Sequence, residues 1–173
     1  MSWYTVLVLA VGVERLAELV VAQRHAAWAF AHGGTESGRR HYPPMVALHT
    51  GLLVACLVEV QLADRPFLPV LGWTAFALVL ASQALRWWCI ATLGNLWNTR
   101  IIVVPGVALV HRGPYARLRH PNYVAVAVEG AALPLVHTAW VTALAFTVLN
   151  AILLLRFRIP AEERALRSVA APA

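Results

Sequence analysis

Residues 67–93 form an apolar run with a single formal charge, Arg86, and exceed the ~20 residues that an α-helix needs to cross a hydrocarbon core ~30 Å thick. Backbone N–H and C=O groups find no water at that depth, so a spanning segment closes its hydrogen bonds within itself or within a sealed barrel. Further apolar runs cover residues 3–21, 43–62, 123–136 and 139–157. With 60% hydrophobic residues and a mean hydropathy of +0.67, the chain lies above the roughly 45–50% apolar share of soluble domains. Together these features predict an all-α integral membrane protein of one domain. It should have about five transmembrane helices, a cytoplasmic connecting loop over residues 95–120 and a short C-terminal interfacial helix. The bilayer is therefore an expected partner, and nucleic acid is not.

Several local signals refine this expectation. Glu14, Arg15 and Glu18 interrupt the first run and must face protein or water, with Arg15 able to pair with Glu18 three residues on. Arg24, Arg39 and Arg40 follow in a polar, glycine-containing loop ending at Pro43 and Pro44. The third run is longer than a minimal span, which predicts tilt or an emergent last turn around Arg86, Trp87 and Trp88, with Gly94 as the stop. In IIVVPGVALV (residues 101–110), Pro105 and Gly106 predict a turn between two apolar stretches, a short hairpin on the membrane face. The fourth run is short and should bend at Pro134. His137 and Thr138 leave room for a tight turn, and Pro160 should restart a surface helix with Glu162 and Glu163 in its first turn. Cys56 and Cys89 fall inside apolar runs, so neither a disulfide nor a metal site is expected. The first run lacks a basic leader, so no cleavable signal peptide is expected.

All 14 basic residues are arginine. The loops after runs one and three and the C-terminal tail carry three (Arg24, Arg39, Arg40), four (Arg100, Arg112, Arg117, Arg119) and four (Arg156, Arg158, Arg164, Arg167) of them; Arg65 stands alone on the other side. Cytoplasmic loops are enriched in arginine, which predicts an outside N-terminus and a cytoplasmic C-terminus in a bacterial inner membrane.

The densest chemistry lies in RGPYARLRHPNYVAVAVE, residues 112–129, where a polar, arginine-rich loop turns apolar at once. Tyr and Arg favour the headgroup layer at such a boundary. Pro121 suits the first position of a helix, leaving His120 just outside it and Tyr123 on its first turn. The helix N-terminus and the arginines favour a negatively charged group there, at a place where an apolar ligand arrives from the side. A second polar motif, RIPAEERAL, follows at residues 158–166.

Taken together, GPYARLRHPNY, the intramembrane Glu129 and RIPAEERAL resemble the isoprenylcysteine carboxyl methyltransferase family, over about residues 85–166. Upstream, ESGRRHYPPMVALH (residues 36–49) is similar to bacterial members encoded beside type III polyketide synthases, which O-methylate alkylpyrones or alkylresorcinols. One departure is Ala125, where the broader pattern has glycine. The resemblance implies an S-adenosylmethionine-dependent O-methyltransferase acting on a lipid-like small molecule, with a cofactor-binding half over about residues 85–169. It implies that His120, Pro121, Asn122 and Tyr123 line the cofactor pocket and that Glu162 or Glu163 takes the α-ammonium. Arg158, in the spacing RxxxEE, should orient the acceptor oxygen.

The acceptor decides whether a base is needed. A carboxylate is already ionised, whereas a phenol-like hydroxyl with a pKa near ~10 must lose a proton. Glu36, His41, His49 and Glu129 are the candidates, and Arg158, Glu129 and His41 form the expected catalytic set. Structural readings stand beside these: RIPAEER as surface charge, Glu14, Arg15, Glu18 and Arg86 as an ion-pair cluster, and Glu129 as an interhelical hydrogen bond. Other functions compatible with the sequence are carboxyl methylation of a prenylated thiol and a non-catalytic subunit or heme or quinone anchor. A nicotinamide-dependent lipid reductase lacks the glycine-rich phosphate loop it needs.

Overall fold

A computed structural model describes residues 3–170 of the chain. Six helices and one two-stranded ribbon follow in the order α1 (Trp3–Ala31), β1 (Thr35–Ser37), α2 (Tyr42–Leu62), α3 (Pro69–Leu93), β2 (Ile101–Val103), α4 (Pro121–Leu135), α5 (Trp140–Ile152) and α6 (Ile159–Ala170). Helix α1 runs ten residues beyond the expected end at residue 21. Hydropathy falls there, but alanine is the best helix former, and Ala22, Ala26 and Ala29 bury one face. Arg24 is consequently helical, and the loop begins only at His32.

Helix α3 ends where expected, at Gly94, whose φ of 54° lies in the left-handed region. Its buried residues Gly72, Ala75, Val79, Ser82, Arg86 and Cys89 recur at three- and four-residue steps, one stripe of a helix facing its neighbours. Helix α4 begins at Pro121 and carries Pro134 inside its last turn, and the turn at His137 and Thr138 then reverses the chain into α5. Helices α4 and α5 meet closely at Gly130, where any side chain would collide with the Phe146 ring.

Two expectations are corrected. The apolar stretches flanking Pro105 and Gly106 do not form a hairpin with each other. Instead β2 pairs antiparallel with β1, with Ile102 opposite Glu36. Ile101 and Val103 are buried against Ala161 and Ala165 of α6, whose small side chains let a strand approach, while Val107 and Leu109 stay exposed. Pro160 does not restart a helix after a break. Residues Leu153–Arg158 form a π-helical segment that carries α5 directly into α6. Proline has no N–H and crowds the carbonyl four residues back, and a widened turn absorbs both effects without ending the helix.

Among the described residues, three helices are long and apolar enough to cross a membrane, within residues 39–62, 69–96 and 140–168. Helix α1 has the length but carries Glu14, Arg15, Glu18 and Arg24. Helix α4, at 15 residues and 1.5 Å per residue, reaches about 22 Å. The arginine-rich segments gather at one end of the bundle, where β1, β2 and α6 pack together. At the other end the Thr138 hydroxyl donates to the Pro66 carbonyl at 2.6 Å. There Glu59 of α2 accepts from the Thr142 N–H and hydroxyl, both at 2.7 Å, and so caps the start of α5. The chain ends, for which opposite sides were expected, lie outside the described residues.

The helices pack in layers. Tyr4, Val8, Leu52, Cys56, Val79, Leu133 and Phe146 form an apolar cluster. One or two turns nearer the ribbon lies a charged layer. Arg15 Nη1 meets Glu18 at 2.7 Å, Arg15 Nη2 meets Glu129 at 3.2 Å, and Arg86 meets Glu18 at 3.3 Å and Glu129 at 2.5 Å. This is the expected ion-pair cluster, enlarged by Glu129. Beyond it Ala22, Ile90 and Trp97 form a second apolar layer.

Candidate active site

The first turns of α4 and α6 face each other, joined by Tyr123 and Glu162, which are 39 residues apart in the chain. His120 caps α4, Pro121 occupies its first position, and Asn122 and Tyr123 follow on the first turn. The extra residue of the π-helical turn rotates α6 by about 100° relative to α5, one residue's share of a turn of 3.6. Arg158, Glu162 and Glu163 accordingly point toward α4. The Tyr123 hydroxyl donates to the Glu162 carboxylate, and the His120 ring stacks on Tyr123 with centroids 5.6 Å apart. His120 Nδ1 lies 3.6 Å from Glu162 and Nε2 lies 3.5 Å from Glu163. Arg158 is buried and donates to the Thr99 carbonyl at 2.8 Å, leaving its Nε without a partner.

These side chains line a cavity of about 900 Å³. His120, Asn122, Tyr123, Arg158, Glu162 and Glu163 are all on its wall, so the structure brings the two polar motifs together. Pro121 is buried behind them. The expected catalytic trio separates. Arg158 faces the cavity, Glu129 sits between Arg15 and Arg86 off the wall, and His41 packs on the Phe157 ring at 5.4 Å, also off the wall. Glu36 lies on β1, 3.8 Å from Arg39 and from Arg100. His49 does reach the cavity, from α2. Sequence reasoning passed over Trp97, which is 3% exposed, lines the cavity and leaves its indole N–H unpartnered. The polar run NLWNTR after the Gly94 stop was the available signal, since an indole beside such a loop needs a partner when buried.

The Glu162 carboxylate, and after it Glu163, raise the His120 pKa above its usual 6.5, against partial burial that lowers it. A raised folded-state value means that the contribution of this contact to stability is complete below about pH 6.5 and is lost as pH rises through the folded-state pKa. Unfolding midpoints in detergent should therefore fall for the wild type as pH rises above about 6.5, and His120→Gln should flatten that decline. Parallel curves for the two proteins would rule out His120 as its source.

The sequence model of the isoprenylcysteine carboxyl methyltransferase (ICMT) family matches residues 74–168, the part of the chain that holds both motifs. The chain belongs to this family. A Bacillus subtilis (strain 168) protein described as uncharacterized protein YpbQ is 39% identical over 168 residues, covering 96% of this chain and 97% of its own length. Members of the isoprenylcysteine carboxyl methyltransferase family are S-adenosylmethionine-dependent methyltransferases, and the family match with the apolar helices makes this chain a membrane methyltransferase. The residues present fit that cofactor. An amino acid head with one ammonium and one carboxylate would find two carboxylates, Glu162 and Glu163, and two arginines, Arg100 and Arg119, on the wall of the same cavity. The buried Asn122 Oδ1 and Trp97 Nε1, both without partners, supply one acceptor and one donor for further polar groups.

Proposed function

We propose that this chain transfers a methyl group from S-adenosylmethionine to the hydroxyl of a lipid-tailed acceptor, of the alkylpyrone or alkylresorcinol class. The observation that carries this reading is the continuity of a single cavity. It joins the carboxylates of α6 to an apolar wall formed by Met45, Val46 and Leu53 of α2 together with Val107 and Leu109. A charged ligand at one end and an acyl chain at the other suit such a space. The cofactor supplies an electrophilic methyl carbon on a sulfonium. Glu162 and Glu163 take its ammonium, His120 and Tyr123 hold those carboxylates in place, and Asn122 and Trp97 bind its remaining polar groups. Pro121 sets the backbone of the first turn. Arg158, tethered to Thr99, orients the acceptor oxygen, and the apolar walls keep water away from the reacting atoms.

A hydroxyl acceptor is favoured because residues 36–49, which carry the narrower resemblance, also contribute Tyr42, Met45 and His49 to the cavity wall. A prenylcysteine carboxylate is the second reading, supported by the family match itself. The arginine asymmetry supports about five crossings with the cofactor end in the cytoplasm.

Inverted membrane vesicles given labelled methyl donor and a panel of alkylresorcinols, alkylpyrones and prenylcysteine analogues test both points. The expected products are methyl ethers of the hydroxyl acceptors, formed in inverted vesicles and far less in right-side-out ones. Methylation confined to prenylcysteine carboxylates would replace this reading with the second one.

A further inference from the structure

Of the four candidate bases, Glu36, His41, His49 and Glu129, His49 alone lines the cavity. His49 lies on α2, about two turns from its start, with its ring held edge-on to Phe146 at 5.3 Å. Its Nδ1 is 2.8 Å from the Met45 carbonyl oxygen. A carbonyl oxygen only accepts, so Nδ1 carries the ring hydrogen and the lone pair of the neutral imidazole is on Nε2. No described residue bonds Nε2, and the ring borders the cavity.

Building on the hydroxyl acceptor proposed above, we infer that His49 is the base that removes the acceptor's proton. The acceptor O–H bond breaks and its electron pair stays on oxygen, which uses it to bond the methyl carbon as that carbon's bond to the donor sulfur breaks and leaves its pair on sulfur, giving a neutral thioether. Nε2–H forms, and the ring becomes an imidazolium with both nitrogens protonated until the proton leaves to water with the product. The charged groups that act on His49 from neighbouring helices are Arg86 of α3, Glu129 of α4 and Arg15 of α1, while Glu18 of α1 lines the same cavity and α5 presents the Phe146 ring. Protonating Glu18 or Glu129 instead would break ion pairs inside that buried layer. His49 gains a proton without losing a bond.

His49→Asn tests this, because the Asn amide keeps a donor for the Met45 carbonyl and removes the base. Methylation of a long-chain alkylresorcinol should fall about 100-fold or more, with donor binding unchanged and with partial recovery when imidazole is added. A readout free of turnover uses an alkyl nitrophenol bound without donor. Its phenolate band should appear at lower pH on the wild type than on His49→Asn. Should His49→Asn bind donor, methylate resorcinols at the wild-type rate and leave the nitrophenol titration unmoved, the role of His49 falls and the hydroxyl reading stands. If the wild type binds no nitrophenol and methylates only prenylcysteine carboxylates, both fall together. If His49→Asn fails to bind donor, His49→Gln takes its place under the same criteria, and loss of donor binding in both variants overturns the assignment in favour of a structural role.

Discussion

Arg86→Ala is expected to destabilise the bundle by about 3–5 kcal/mol, the cost typical of leaving a buried charge without its partner. Arg86 is 4% exposed and joins three helices: from α3 it reaches Glu18 of α1 at 3.3 Å and Glu129 of α4 at 2.5 Å. Alanine leaves both carboxylates buried with only Arg15 to share, and it opens a void where the guanidinium stood. Mutants with fewer buried acids should recover part of the loss, because an amide in place of a carboxylate has no charge to desolvate. Glu129→Gln should therefore be destabilising by itself and partly restorative in the Arg86→Ala background. Denaturant or thermal unfolding of the detergent-solubilised proteins measures this cycle. Additive losses would show that Arg86 and Glu129 do not support each other.

Glu162→Gln is expected to weaken S-adenosylmethionine binding about ten- to a hundredfold, which corresponds to the roughly 1.5–3 kcal/mol of a charged hydrogen bond. Glu162 accepts from the Tyr123 hydroxyl and faces His120 at 3.6 Å, so its carboxylate is already oriented toward the cavity before any ligand arrives. Glu163 is less specialised. It shares its charge with Arg167 at 3.1 Å and Arg119 at 3.8 Å, and the corresponding substitution should cost less. Calorimetry with the donor, or with its demethylated product, reads the difference without turnover. Both carboxylates are about one-third exposed at the bundle end, so either variant should change the unfolding midpoint chiefly through the pH-dependent contact with His120. A wild-type donor affinity in Glu162→Gln would remove this residue from the cofactor site.

Local signals proved readable where a residue constrains its own backbone. Proline fixes φ and glycine tolerates positive φ, so the start of α4 at Pro121 and the end of α3 at Gly94 follow from single residues. Apolar runs of span length gave the cores of α2, α3 and α5 for a similar reason, since every residue in the run reports the same solvent. The two polar motifs could be paired in advance because they occur together in the family that the chain resembles and because the arginine count puts both on one predicted membrane face.

Composition and charge spacing already required a helical membrane protein with a charged boundary site, in which Glu14, Arg15, Glu18, Arg86 and Glu129 could not face lipid. Which of those charges would meet was a different question, because Arg86 and Glu129 are brought together by the packing of α3 on α4 rather than by any local preference. The tertiary structure also decided that β2 pairs with β1, where small α6 residues leave room for a strand, instead of folding back at Pro105 and Gly106. It turned Arg158, Glu162 and Glu163 toward α4 through a π-helical turn that no short motif announces. By the same token it set His49 on the cavity wall and Glu129 behind it, since the direction of a side chain depends on helix rotation, and rotation is settled only when neighbouring helices pack.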